Sequence, residues 1–118
     1  LPADLRPLAP YAESVRLTGR IDQSAVVDEM HKAHVLVLPS VFEGFGLVIA
    51  EAMATGLPVI ASTHSAGPDI VREGIDGFVL EPDDVDGLVE RLECLRADRA
   101  RAVAMGDSAA ERAREFSW

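Results

Sequence analysis

Between residues 35 and 61, two strand-length apolar runs bracket a single helix-length run of apolar and small residues. The first run is Val35-Leu36-Val37-Leu38, closed by Pro39, and the second is Pro58-Val59-Ile60-Ala61. Neither run alternates with polar residues, as expected of strands covered on both faces, and the 35–38 run is expected to lie centrally in its sheet. The intervening helix is expected over 47–55. It is apolar almost all round and rich in alanine, so it must pack closely between a sheet and its neighbours, and Gly56 is expected to end it.

The rest of the chain repeats the alternation. Residues 15–17 read as a strand. Residues 23–33 place Val26, Val27 and Met30 on one helical face, with Asp22 or Ser24 available as N-cap. A helical turn is expected over 68–72, a strand over 77–80, and amphipathic helices over 84–96 and 98–115. Residues 1–10 hold three prolines and read as an extended lead-in ending in a turn at 11–14. Helices alternating with short apolar strands define an α/β, Rossmann-like domain with a mainly parallel sheet flanked by helices.

The loop between strand and helix carries the chemistry. It reads Pro39-Ser40-Val41-Phe42-Glu43-Gly44-Phe45-Gly46-Leu47, and the helix behind it carries Glu51. Gly44 and Gly46 leave the backbone free to take positive φ and to come close to a ligand. The first amides of the following helix lack intrahelical acceptors and favour an anion such as a phosphate or diphosphate. Glu43 and Glu51 would repel that anion but accept hydrogen bonds from paired hydroxyls. Sugar rings on either side of a diphosphate, a nucleotide sugar, supply that set of groups.

Two glutamates separated by seven residues, followed by Glu51-Ala52-Met53-Ala54-Thr55-Gly56-Leu57-Pro58-Val59-Ile60-Ala61-Ser62, resemble the family 4 (group 1) glycosyltransferases of the GT-B fold. The likeness continues through Gly67-Pro68-Asp69-Ile70-Val71, Gly74-Ile75-Asp76-Gly77-Phe78-Val79-Leu80 and Glu115-Phe116-Ser117-Trp118. Upstream it includes Val15-Arg16-Leu17-Thr18-Gly19-Arg20-Ile21.

By that resemblance Glu43, the candidate catalytic residue, lies at the donor sugar, orienting it rather than attacking it. The amides of Gly44, Phe45 and Gly46 line sugar and phosphate, Leu47 gives an amide to the diphosphate, and Glu51 holds the ribose hydroxyls. The backbone around Arg20 and Ile21 contacts the base. The implied reaction is transfer of a hexosyl unit from a nucleotide-diphospho-sugar to an acceptor with retention of anomeric configuration. The nucleotide sugar is a substrate, no cofactor is implied, and no metal held by an Asp-x-Asp motif is expected.

The resemblance also implies that 118 residues are a partial C-terminal donor domain. The first two strands of that domain and the N-terminal acceptor domain lie outside the chain, since a two-domain enzyme needs roughly three times the length. Fragment inactivity and association through unpaired sheet edges are expected on that basis. Two other readings fit parts of the sequence: a non-catalytic α/β nucleotide-binding or interaction module, and a GT-B sugar-nucleotide epimerase, whose acid and base residues would lie upstream.

A net charge of −9 argues against general nucleic-acid binding or a firm grip on anionic membranes, so any phosphate site is local. The single Cys94 excludes an internal disulfide, and the sequence shows no transmembrane run; a cytoplasmic domain is expected. Several polar residues have plainer explanations. His64 reads as an incidental loop residue, and His31 and His34 as helix-end groups. Asp69 reads as a helix cap, Arg16 and Arg20 as surface cations able to approach phosphate, and Cys94 as packing.

Overall fold

The computed structural model describes residues 3–39 and 46–116. Three parallel strands, β1 (Leu36–Leu38), β2 (Val59–Ser62) and β3 (Gly77–Leu80), pair in the order β1-β2-β3. Leu36 lies opposite Val59, and Val59 opposite Gly77. Around them run α1 (Gln23–Lys32), α2 (Gly46–Ala54), α3 (Gly67–Ile70), α4 (Val85–Ala97) and α5 (Arg99–Ala113). A parallel sheet flanked by helices is the α/β class that the alternating pattern predicts.

The period of two along β2 divides the core. Val59 and Ala61 join Met30 of α1, Ile49 and Met53 of α2, Ile70 of α3 and Ala109 of α5 on one face. Ile60 points the other way, to Phe78, Leu95 and Met105. All four residues of β2 are buried, and among the described residues β2 is the central strand and β1 an edge.

That corrects the expected central position of residues 35–38. A continuous apolar run reports two covered faces, whereas an edge position concerns backbone pairing, which side-chain character does not encode. The strand expected over 15–17 is also absent. Those residues are exposed coil, with Val15 and Leu17 at 38% and 48% exposure, and no neighbouring strand among the described residues pairs with them. Arg16 instead pairs with Glu29 of α1.

The lead-in is a 3-10 helix over Ala3–Tyr11 containing Pro7 and Pro10, not an extended segment. Proline's fixed φ near −65° suits 3-10 geometry; what it prevents is the continuous i to i−4 bonding of an α-helix. The turn at 11–14 forms as expected, with the Ser14 amide donating to Tyr11 O at 2.8 Å.

Helix ends follow their sequence signals. Asp22 caps α1, its carboxylate accepting from the Ala25 amide at 2.9 Å. Helix α2 ends in a left-handed glycine, Gly56 at φ 85°. There the Gly56 amide donates to Met53 O at 2.9 Å and the Leu57 amide to Ala52 O at 3.1 Å, the paired bonds of a Schellman motif. On the outer edge of β3, the Glu73 carboxylate accepts from the Val79 amide at 2.7 Å and covers a donor the sheet leaves open.

Candidate functional site at the carboxyl edge of the sheet

In a parallel sheet every strand delivers its following loop to the same edge, where open α/β folds place their ligands. Here the ends of β1, β2 and β3 meet at that edge. The loop after β1, residues 40–45, includes Glu43, Gly44 and Phe45, which lie outside the described residues. Its far end is Gly46, the first residue of α2.

Gly46 does not use a glycine's access to positive φ, and an added Cβ would sit 3.5 Å from Ala66 Cβ and 3.6 Å from Ile70 Cδ1, an ordinary contact. Ala66 belongs to the loop after β2, so that loop flanks the N-terminus of α2. It is tightly wound. Ser62 O accepts from the Ser65 hydroxyl at 2.7 Å, Ser62 Oγ from the His64 amide at 3.0 Å, and Ser65 Oγ from the Gly67 amide at 3.0 Å. Gly67 is required there, because a Cβ would fall 2.8 Å from Ala61 Cβ.

Leu47 follows Gly46 and is 57% exposed. Its amide lies in the first turn of α2, among the donors that helix geometry leaves without an i−4 carbonyl. One turn on, Glu51 shares Leu47's helix face and is half-buried. Glu51 Oε2 accepts a 2.7 Å hydrogen bond from Nε2 of Gln23. Gln23 opens α1, directly after Asp22, and the exposed pair Arg20 and Ile21 precedes it. The Gln23–Glu51 bond ties the start of α1, two residues after Ile21, to α2. The sequence marks Gln23 only as the start of a helix; the long-range contact with Glu51 reveals its place at the site.

Other polar residues take structural positions. His64 is exposed and His31 stands in the last turn of α1. Asp69 is not the cap of α3; Ala66 occupies that position with no side-chain bond, and Asp69 lies within the helix, its carbonyl accepting from Arg112. Cys94 Sγ accepts from Arg101 Nη1 at 3.0 Å. One Asp-x-Asp spacing does occur in the sequence, Asp84-Val85-Asp86. Asp84 is the N-cap of α4, its carboxylate accepting from the Gly87 amide at 2.9 Å, so helix capping accounts for that aspartate.

A cavity also lies at the opposite edge of the sheet. A groove of about 360 Å³ opens at the amino ends of β1 and β2, floored by Val35, Leu57, Leu92 and Leu95 and rimmed by Arg96 and Arg99. At the carboxyl edge a dent of about 40 Å³ lies between β1, β2 and α4.

The family described as glycosyl transferases group 1 matches residues 2–98. The chain belongs to that family. It is 39% identical over 98 residues to the sulfoquinovosyl transferase SQD2 of Arabidopsis thaliana, covering 77% of this chain and 19% of that protein. It is 35% identical over 120 residues to the D-inositol 3-phosphate glycosyltransferase of Streptomyces griseus, covering 99% of this chain and 25% of that protein. Among solved structures, sucrose-phosphate synthase from Thermosynechococcus elongatus superposes with a TM-score of 0.84 at 33% identity, over 92% of this chain and 28% of that one. The chain therefore spans about a fifth to a quarter of the length of these curated relatives. The structural neighbours bear out the expected GT-B fold class. Among the described residues no helix is long and apolar enough to cross a membrane.

Proposed function

We propose that this chain carries the donor-binding part of a retaining glycosyltransferase. The reaction passes a hexosyl unit from a nucleotide-diphospho-sugar to an acceptor. The observation that carries this reading is Glu51, set one helical turn behind the open N-terminus of α2 and tied at 2.7 Å to the start of α1. The amides of Gly46 and Leu47 receive the diphosphate at the positive end of α2. Glu51 accepts from the ribose hydroxyls, and the backbone of Arg20 and Ile21 meets the base. Glu43, with Gly44 and Phe45, serves the donor sugar.

Catalysis in the complete enzyme is then differential stabilisation. Fixed amides hold the departing diphosphate as the sugar gains oxocarbenium character, and the acceptor arrives from a second domain. Glu43 orients the sugar through its hydroxyls and forms no covalent adduct. The names of the relatives, each a sugar transferase, support the reaction class. A single cysteine and the intracellular supply of activated sugars suit a cytoplasmic setting.

Calorimetric titration of this chain with UDP, GDP and ADP tests the reading. One of the three binds, and Glu51→Ala weakens it by about tenfold or more, the loss of a charge-assisted acceptor. Equal affinity in wild type and Glu51→Ala, or no binding of any nucleotide by folded protein, refutes the assignment.

A further inference from the structure

We propose that Gln23 is a positioning residue that aims the Glu51 carboxylate at the ribose and couples it to the base-contacting backbone at Arg20 and Ile21. This rests on the donor-site reading of Glu51. A carboxylate gripping a diol must present one oxygen in a fixed direction while keeping its lone pairs free. Gln23 Nε2 bonds Oε2 at 2.7 Å and leaves Oε1 to a ligand. Among the described residues no arginine, lysine or histidine forms an ion pair with Glu51. An arginine there could engage both oxygens in a fork and compete with the diol, whereas a neutral amide engages one.

The donor itself stands on rigid backbone. Asp22 fixes the first turn of α1 through the Ala25 amide at 2.9 Å and the Ser24 hydroxyl at 3.0 Å. Met30 at the other end of α1 is buried with Ile49 and Met53 of α2. The two helices therefore hold a set distance, and Gln23 spans it at the end nearest residues 20–21. Movement of that backbone on meeting a base changes the anchor of Glu51, so base and ribose recognition share one side chain.

A surface staple between α1 and α2 would explain the same bond without any ligand, and the two roles separate in measurement. The readout is the ratio of affinities for the bound nucleoside diphosphate and its 2′,3′-dideoxy analogue, taken with the thermal midpoint. Wild type prefers the ribose form by about 10- to 100-fold, the range for hydrogen bonds to a charged acceptor. Glu51→Gln lowers this ratio severalfold. Gln23→Ala lowers it at least threefold with the midpoint nearly unchanged. An undiminished ratio in Gln23→Ala beside a lost one in Glu51→Gln overturns the role of Gln23 alone. A wild-type chain that binds no nucleotide, or that shows no ribose preference, overturns the ribose role of Glu51 and this inference with it.

Discussion

Gly106 lies in the interior of α5, where glycine ordinarily costs about 1 kcal/mol relative to alanine, so Gly106→Ala would stabilise an isolated helix. The structure reverses the sign. An added Cβ would lie 2.2 Å from the carbonyl oxygen of Gly56 and 3.5 Å from Pro58 Cδ. The obstructing atom is backbone, in a turn whose φ of 85° leaves it little freedom to retreat. Restoring ordinary van der Waals separation requires α5 to move back by about 1 Å. That movement loosens Met105, Ala109 and Ala113, buried at 3%, 0% and 9% exposure. Overpacking of this kind costs about 1–3 kcal/mol. Because that range is a measured net for inserted methylenes, the helix-propensity gain trims it to roughly 0–2 kcal/mol. At about 3–5 °C per kcal/mol for a chain of this size, the midpoint falls by up to about 10 °C. Urea and thermal unfolding of the two proteins decide the matter. A raised midpoint, the outcome that helix propensity alone predicts, would refute the close approach of α5 to the Gly56 turn.

Asp76 is fully buried, and its carboxylate accepts from the Arg72 amide at 3.0 Å and from Arg72 Nε and Nη2 at 2.9 Å each; Asp76→Ala, which leaves that amide without its acceptor, lowers the thermal midpoint more than Asp76→Asn does. An equal effect of the two variants would show that the lost contacts are not hydrogen bonds. The Ala25 amide and then the Ser24 hydroxyl hold the Asp22 carboxyl below the usual aspartate value. Its contribution is therefore present above the unfolded-state pKa and is lost as pH falls through the lower folded one; Asp22→Ala flattens the acid limb of stability against pH, and an unchanged limb would remove that role. Leu47→Asp places a carboxylate on an exposed first-turn position, where it favours the helix but opposes a bound anion; circular dichroism keeps the midpoint unchanged or raised while calorimetry shows weakened nucleoside diphosphate binding, and equal binding would argue against a diphosphate at this helix end.

The residues differ in how openly they announce their places. Asp22, Asp84 and Gly56 signal helix boundaries locally, because a cap or a left-handed turn is a property of a few consecutive residues. The pairing of Leu47 with Glu51 is equally local, since four residues bring side chains onto one helix face. Edge position is different. Residues 35–38 are as apolar as a central strand, yet among the described residues β1 has one partner, and nothing in its side chains counts partners. Val15 and Leu17 have strand character but lack a strand to pair with among the described residues. Gln23 meets Glu51 across 28 positions, a contact that neither residue's type nor spacing predicts. The 3-10 lead-in was hidden by reading proline as excluding every helix rather than the α-helix alone.

The two ends of α2 explain why the candidate site needs no deep cavity. At its carboxyl end the Schellman turn at Gly56 is pressed against Gly106 of α5, and Ile49, Ala52 and Met53 are wholly buried along its length. The helix is thereby fixed in depth and direction, so the amides of its first turn point at a constant place. An anion held by such donors needs orientation more than enclosure, and the loop after β2, wound on its own serines, sets the flank. The groove of about 360 Å³ has the opposite character: an apolar floor at the amino ends of the strands, with the arginines on its rim. Its lining also holds His34 and Asp107, but Leu57 and Leu95 on its floor are core residues at 4% and 6% exposure, so substitutions along that floor should disturb stability before they disturb nucleotide binding.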